Sequence, residues 1–198
     1  MATAEAAARF GVPLTLPGFD TVQTLRPIEK DVSPPNTYSG NYGTDEFPLH
    51  TDMAHWAVPP RYLLLRCVIG AASVATRLLD GRQLVATIGE LALMRALVRP
   101  RRPLENRRTL LRLLDWRDGS DRFIRWDYLF IAPATKASAA TFTAVSSYAQ
   151  QATPHEIVLR APGDTLVIDN WRMLHGRAKV GDGASARRID RVYIDKLH

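Results

Sequence analysis

The apolar residues of this chain come in short blocks closed off by proline or glycine, a rhythm that favours strands over a helical bundle. Thirteen prolines and twelve glycines divide the 198 residues. Tyr62 to Ile69, preceded by Pro59-Pro60 and ended by Gly70, is expected to be a buried strand. Glu156 to Arg160, Thr165 to Asp169 and Arg188 to Ile194 have strand patterns separated by Pro162-Gly163 and Gly181-Asp182-Gly183, and Arg122 to Ile131 is strand-like. Asp80-Gly81 marks a turn. Gln83 to Val98 places Leu84, Ile88, Leu91 and Met94 at helical spacing, stopped by Pro100 and Pro103, and Ala137 to Ala152 is a second amphipathic helix. Residues 1–40 read as an irregular arm with at most a short strand. The expectation is one domain over 1–198, mainly β with flanking helices: a closed sandwich or barrel, with a basic lid over about 84–125.

Composition removes several classes. A hydrophobic share of 46% and a charged share of 23% are those of an ordinary globular chain, not of a disordered, collagenous or coiled-coil one. The single Cys67 excludes an internal disulfide and a cysteine-rich zinc site. No uncharged apolar run reaches the roughly 18 residues that cross a bilayer. Met1 to Phe10 lacks the basic and apolar regions of a secretion signal, so a cytoplasmic protein is expected. A net charge of +6 and a pI near 9.8 make nucleic acid or a small anion candidate partners. The arginines from 95 to 125, including Arg99, Arg101, Arg102, Arg107, Arg108 and Arg112, read as a solvated surface or as a lid attracting an anionic substrate. Aromatic residues are not interleaved with them as base stacking favours.

Chemistry concentrates at the histidines. His50-Thr51-Asp52 stands just before the buried strand, and on an extended chain residues i and i+2 share a side. His50 and Asp52 therefore converge on one ion, and a third ligand from elsewhere completes two histidines and one carboxylate, the facial set that leaves positions open on ferrous iron. Downstream, a turn and an apolar strand lead to His175 beside Gly176, where the backbone permits close approach. His155 and His198 read as surface residues, and Cys67 as a small hydrophobe packed in its strand.

Phe-Pro-Leu-His-Thr-Asp (47–52), Pro-Gly-Asp-Thr-Leu-Val-Ile-Asp-Asn (162–170), Leu-His-Gly-Arg (174–177) and the arginine-rich ending occur in order. From about Asn41 onward the chain resembles the iron(II)/2-oxoglutarate oxygenases of the taurine dioxygenase, γ-butyrobetaine hydroxylase and clavaminate synthase group. The resemblance implies a double-stranded β-helix, a cupin-like jelly roll. It implies His50, Asp52 and His175 as iron ligands, and 2-oxoglutarate and dioxygen as co-reactants. Arg187 matches the arginine that pairs with the distal carboxylate of 2-oxoglutarate. A one-residue slip exchanges it with Arg188, and only one of the two reaches the pocket. Arg187 is preferred because Arg191 then falls four residues later on the same face, where family members grip an anionic group. Thr76 matches a hydroxyl on the co-substrate carboxylate, although Ala71-Ala72-Ser73 replace the glycines that usually precede it.

Trp56 and His55 are candidates for the substrate wall, with simple packing as the other reading of both. Arg125 and Asp127 resemble a polar pair upstream of the last motif, either reaching the site or pairing with each other. The implied reaction is oxidation, foremost hydroxylation, of an unactivated C–H bond in a small anionic or amino-acid-like substrate, releasing succinate and carbon dioxide. The carboxylate of Asp52 argues against halogenation, for which relatives carry a small residue there. Only about fifty residues precede the metal motif, so a second subunit of a homo-oligomer completes the pocket, or the pocket is open. Two other readings are a cupin-like isomerase or hydrolase without 2-oxoglutarate, and a basic nucleic-acid-binding module. Arg187 and Thr76 discriminate against the first. The Arg-x-Asn-x-Thr-x-Arg ending of the nucleic-acid demethylases, absent from Arg187 to Tyr193, counts against the second.

Overall fold

A computed structural model describes residues 1–102, 109–117 and 121–198. The chain starts with α1 (Thr3–Ala8), β1 (Gly11–Leu14), β2 (Gln23–Leu25) and α2 (Tyr38–Tyr42), followed by β3 (Phe47–His50), β4 (Tyr62–Ile69) and β5 (Thr76–Asp80). Its middle holds α3 (Gly81–Ile88), α4 (Glu90–Arg95), β6 (Leu97–Pro100), β7 (Leu111–Arg112), β8 (Leu114–Arg117), β9 (Asp121–Ile124) and β10 (Ile131–Pro133). The last part is α5 (Lys136–Gln151), β11 (His155–Ile157), β12 (Thr165–Asp169), β13 (Met173–Arg177) and β14 (Arg188–Leu197).

Two antiparallel sheets face each other. One runs β1-β14-β4-β12 with β2 also on β14, and the other runs β11-β5-β13-β3. This is the double-stranded β-helix. Alternation along β14 sends Ile189 and Tyr193 inward to Leu63, Leu65, Cys67, Leu78 and Ile168, while Val192 and Ile194 face outward onto Leu64 and Ala7. Between the sheets lies the core that positions the site.

The first forty residues are more ordered than their sequence suggests. Ala6 and Ala7 of α1 are buried on the outer face of β14, and β1 and β2 extend the same sheet. Hydroxyls of Thr3 and Thr24 donate to the carboxylate of Asp190, which fastens the segment. Strands of three and four residues whose partner lies near the other end of the chain leave no local periodic signal, so pattern reading misses them.

Residues 84–125 also differ from a lid. Leu84, Leu93, Val98, Leu111 and Leu114 join Trp126, Phe142 and Val145 in a second core on the outer side of β5 and β13, where Leu79 and Leu174 complete it. The helix expected over 83–98 is two helices, because Gly89 at φ +96° breaks it, and the tail is β6. The strand expected over 122–131 is likewise two, β9 and β10. Arg95, Arg99, Arg101, Arg102, Arg112 and Arg122 are exposed, whereas Arg107 and Arg108 lie outside the described residues.

Candidate functional site

His50 ends β3 and His175 lies in β13, and antiparallel register sets the two directly opposite each other. The strands come this close because residue 176 is glycine: a Cβ there would stand 2.5 Å from the carbonyl oxygen of Phe47. Asp52 follows two residues beyond His50. The ligand atoms of His50, Asp52 and His175 all lie within 4.8 Å of one another, and all three residues are buried. Asp52 Oδ1 is 3.4 Å from His50 Nε2 and 3.5 Å from His175 Nε2. Two donors about 2.1 Å from a shared ion at right angles stand roughly 3 Å apart, so small side-chain movements close the set on a metal. His50 Nδ1 donates to the carbonyl of Pro48 at 2.8 Å, which leaves the Nε2 lone pair facing the centre.

The loop carrying Asp52 is held from both sides. Thr51 exchanges two hydrogen bonds with Trp126: its N–H donates to the Trp126 carbonyl at 2.7 Å, and its hydroxyl accepts from the Trp126 N–H at 3.0 Å. Fully buried Asn170 accepts from the Asp52 N–H at 2.7 Å and donates to the carbonyls of Asp52 at 3.0 Å and Pro60 at 2.9 Å. Sequence reasoning named no role for Asn170; the signal was an amide placed directly after the apolar strand of the 162–170 motif.

From β14, Arg191 Nη1 and the Tyr193 hydroxyl both donate to Asp52 Oδ2 at 2.8 Å. Arg191 also donates to Gln23 of β2 at 2.7 Å. Burial works against ionisation of Asp52, yet Arg191 and the two imidazoles hold its carboxyl well below the usual range. Burial and then His50 push His175 down, whereas Asp52 outweighs burial and holds His50 up.

Two arginines lie near each other at the ends of β13 and β14. Arg187 is buried and Arg188 exposed, so one of the two alternatives points inward. The Arg187 guanidinium has no hydrogen-bond or ion-pair partner among the described residues, and its Nε is buried. Arg177 neighbours it, donates to the carbonyls of Gly43 and Asp45, and covers the Phe47 ring. Burial, with Arg187 next, lowers Arg177 to about 10. Thr76, buried at the start of β5, pairs with Arg177 across the ladder. A buried, unpaired guanidinium beside a half-buried one suits an anionic group.

No family model matches the chain. Its sequence is 32% identical over 167 residues to the L-lysine 3-hydroxylase of Catenulispora acidiphila, covering 75% of this chain and 45% of that protein. This match agrees with the chain's resemblance to the taurine dioxygenase-like iron(II)/2-oxoglutarate oxygenases. The chain spans about half the length of that curated relative. The non-heme iron oxygenase OrfP, solved with Fe and alpha-ketoglutaric acid, shares the fold with a TM-score of 0.73 at 21% identity, over 97% of this chain and 62% of that one. Asparagine oxygenase, solved with Fe(II), 2S,3S-3-hydroxyasparagine and succinate, gives a TM-score of 0.68 at 21% identity over 88% and 56%.

Around the triad stands an aromatic wall. Tyr38 of α2 stacks on His50 with ring centroids 4.2 Å apart, and Phe47 and Phe130 flank it. Asp127 is buried nearby and accepts the backbone N–H groups of Leu129 at 2.8 Å and Phe130 at 3.0 Å. Burial raises it to about 6, against the opposing pull of His50. The Tyr38 hydroxyl lies near without a hydrogen bond of ordinary geometry.

Arg125 and Asp127 do not pair. Fully buried Arg125 donates to the carbonyls of Ala54, Trp56, Ala57 and Arg112 and so ties down the loop after Asp52. His55 packs against Phe130 with its Nδ1 buried and unpartnered. Trp56 lines a cavity of about 240 Å³ with Leu14, Leu16, Val58 and Pro59, and no triad residue lines that cavity. His155 and His198 are exposed. No helix among the described residues is long and apolar enough to cross a membrane.

Proposed function

We propose that this chain is an iron(II)/2-oxoglutarate-dependent hydroxylase of a free amino acid, with His50, Asp52 and His175 holding the metal. The observation that carries the proposal is the convergence of three buried ligand atoms from β3, its following loop and β13, in a chain that also buries an unpaired arginine just before β14. The donor set fits ferrous iron: two imidazole nitrogens and one carboxylate oxygen on one side, with the remaining positions free. When bound, iron(II) with 2-oxoglutarate and dioxygen supplies the oxidising equivalents that turn C–H into C–OH and release succinate and carbon dioxide.

The protein's own residues supply placement. Arg187, with Thr76 and the field of Arg177, receives the distal carboxylate of the co-substrate. Arg191, anchored by Gln23, faces the substrate carboxylate from β14. Asp127, buried and in no ion pair among the described residues, suits an ammonium or guanidinium at the substrate's other end. This makes a basic amino acid the favoured substrate, consistent with the name of the lysine-hydroxylating relative. Tyr38, Phe130 and His55 exclude water above the ligands. Trp56 is kept as a substrate contact only through its loop. The proposal further takes residues 1–198 as one catalytic domain, located in the cytoplasm, self-associating where the pocket wall needs completing, and not acting on nucleic acid.

Anaerobic titration with iron(II) and 2-oxoglutarate tests the assignment. A weak visible absorption band is expected in the wild type and none in His175→Ala. A wild type without the band, or a band that survives in His175→Ala, overturns it. Succinate release with lysine, arginine, ornithine, asparagine and taurine then sorts substrates, with the basic amino acids expected to lead and Asp127→Asn to lose that preference.

A further inference from the structure

We propose that Tyr193, together with Arg191, is a positioning residue that forces Asp52 to bind metal through one oxygen only. The inference rests on the reading of His50, Asp52 and His175 as a metal centre. Arg191 and Tyr193 are i and i+2 on β14, so both side chains cross the interior from the same face. Both end on the same atom, Oδ2, at 2.8 Å. Two donors take up the two in-plane lone pairs of that oxygen, and only Oδ1 remains for an ion. Oδ1 is also the oxygen that faces both imidazoles, at 3.4 and 3.5 Å.

Other contacts sharpen the point. Asn170 fixes the backbone of Asp52 on both sides, so rotation of the carboxylate is the main freedom left, and these donors remove it. Tyr193 is 1% exposed in an apolar cluster, where a phenylalanine would pack equally well. Burying the hydroxyl is costly unless it is bonded, and its partner is Asp52. Arg191 is divided between Gln23 and Asp52, so a substrate carboxylate draws on its donors, whereas Tyr193 keeps its hold throughout. A carboxylate that swung round to chelate would occupy one of the positions that the co-substrate and dioxygen require.

The test is cobalt(II) binding to the metal-free full chain, followed by visible absorption and calorimetry, with no turnover involved. Tyr193→Phe is expected to keep the metal-free melting temperature near wild type, to weaken cobalt(II) binding by about 10- to 100-fold and to alter the absorption envelope as the coordination number changes. Arg191→Lys keeps the charge but loses the fork, is expected to shift both readouts in the same direction, and carries the test should Tyr193→Phe fail to fold. Wild-type affinity and spectrum in the folded variant overturn the proposal. His175→Ala separates the two levels. Its loss of cobalt(II) binding supports the centre, and wild-type binding there overturns the centre itself whatever Tyr193 does.

Discussion

Asp127 sits where burial and chemistry oppose each other. Its folded value near 6 lies above that of an unfolded carboxylate, so the folded chain binds more protons than the unfolded one between about pH 4 and 6. Its contribution to stability is therefore full below about pH 4 and falls as pH rises through about 6. Asp127→Asn removes this loss. The metal-free variant is expected to be more stable than wild type at pH 7 by roughly 2–3 kcal/mol, with the difference vanishing near pH 4, as measured by urea denaturation at both pH values. Asn170 is the opposite case, since its three side-chain bonds are all satisfied. Asn170→Ala strands the amide and carbonyl of Asp52 and is expected to cost about 3 kcal/mol in the same measurement, with weaker metal binding. Neither role stands out along the chain. An isolated Asp or Asn is a turn residue as readily as a buried one, and only the neighbours decide.

At the scale of elements, the triad depends on how closely β3 approaches β13. Gly176 permits that approach, and its missing Cβ is answered by backbone, which has nowhere to retreat. Gly176→Ala is expected to destabilise the chain by about 1–3 kcal/mol and to part His50 from His175, read as weakened cobalt(II) binding alongside a lowered melting temperature. Strands long enough to carry their own apolar pattern, β4 and β12, were legible residue by residue, and so was α5 to within one residue at each end. β5 and β13 were not, because each has one side against the inner core and the other against the helical layer, and neither alternates cleanly. The break at Gly89 was hidden because helical spacing runs through it, and a single glycine inside an amphipathic run does not by itself say that the helix stops.

For the molecule as a whole, binding at one centre ties both sheets together. β3 and β13 bring the ligands, and β14 from the facing sheet holds Asp52. A divalent ion at 100 times its dissociation constant is expected to stabilise the fold by about 2.7 kcal/mol, seen as a rise in melting temperature that His175→Ala abolishes. The positive surface of α4, β6, β7 and β9 is formed by exposed arginines, whereas Arg187 is buried. Net charge alone therefore said little about which arginine is buried and unpaired. The basic stretch is a packed layer with arginines on its outer surface, since Leu84, Leu93, Val98 and Leu111 needed a core and found one on the back of β5 and β13.

The residue order by itself determined the chemistry available: a His-x-Asp pair, a distant His-Gly, arginines on the last strand, and enough short apolar blocks to build two sheets. These are local facts, carried by residue type and spacing. Tertiary structure alone decided which arginine of the 187–188 pair turns inward, that Arg125 serves the backbone while Asp127 faces the site, and that Tyr193 and Asn170 grip Asp52. Those outcomes depend on strands more than a hundred residues apart meeting in one register, and no periodicity along a chain encodes the partner a strand will find.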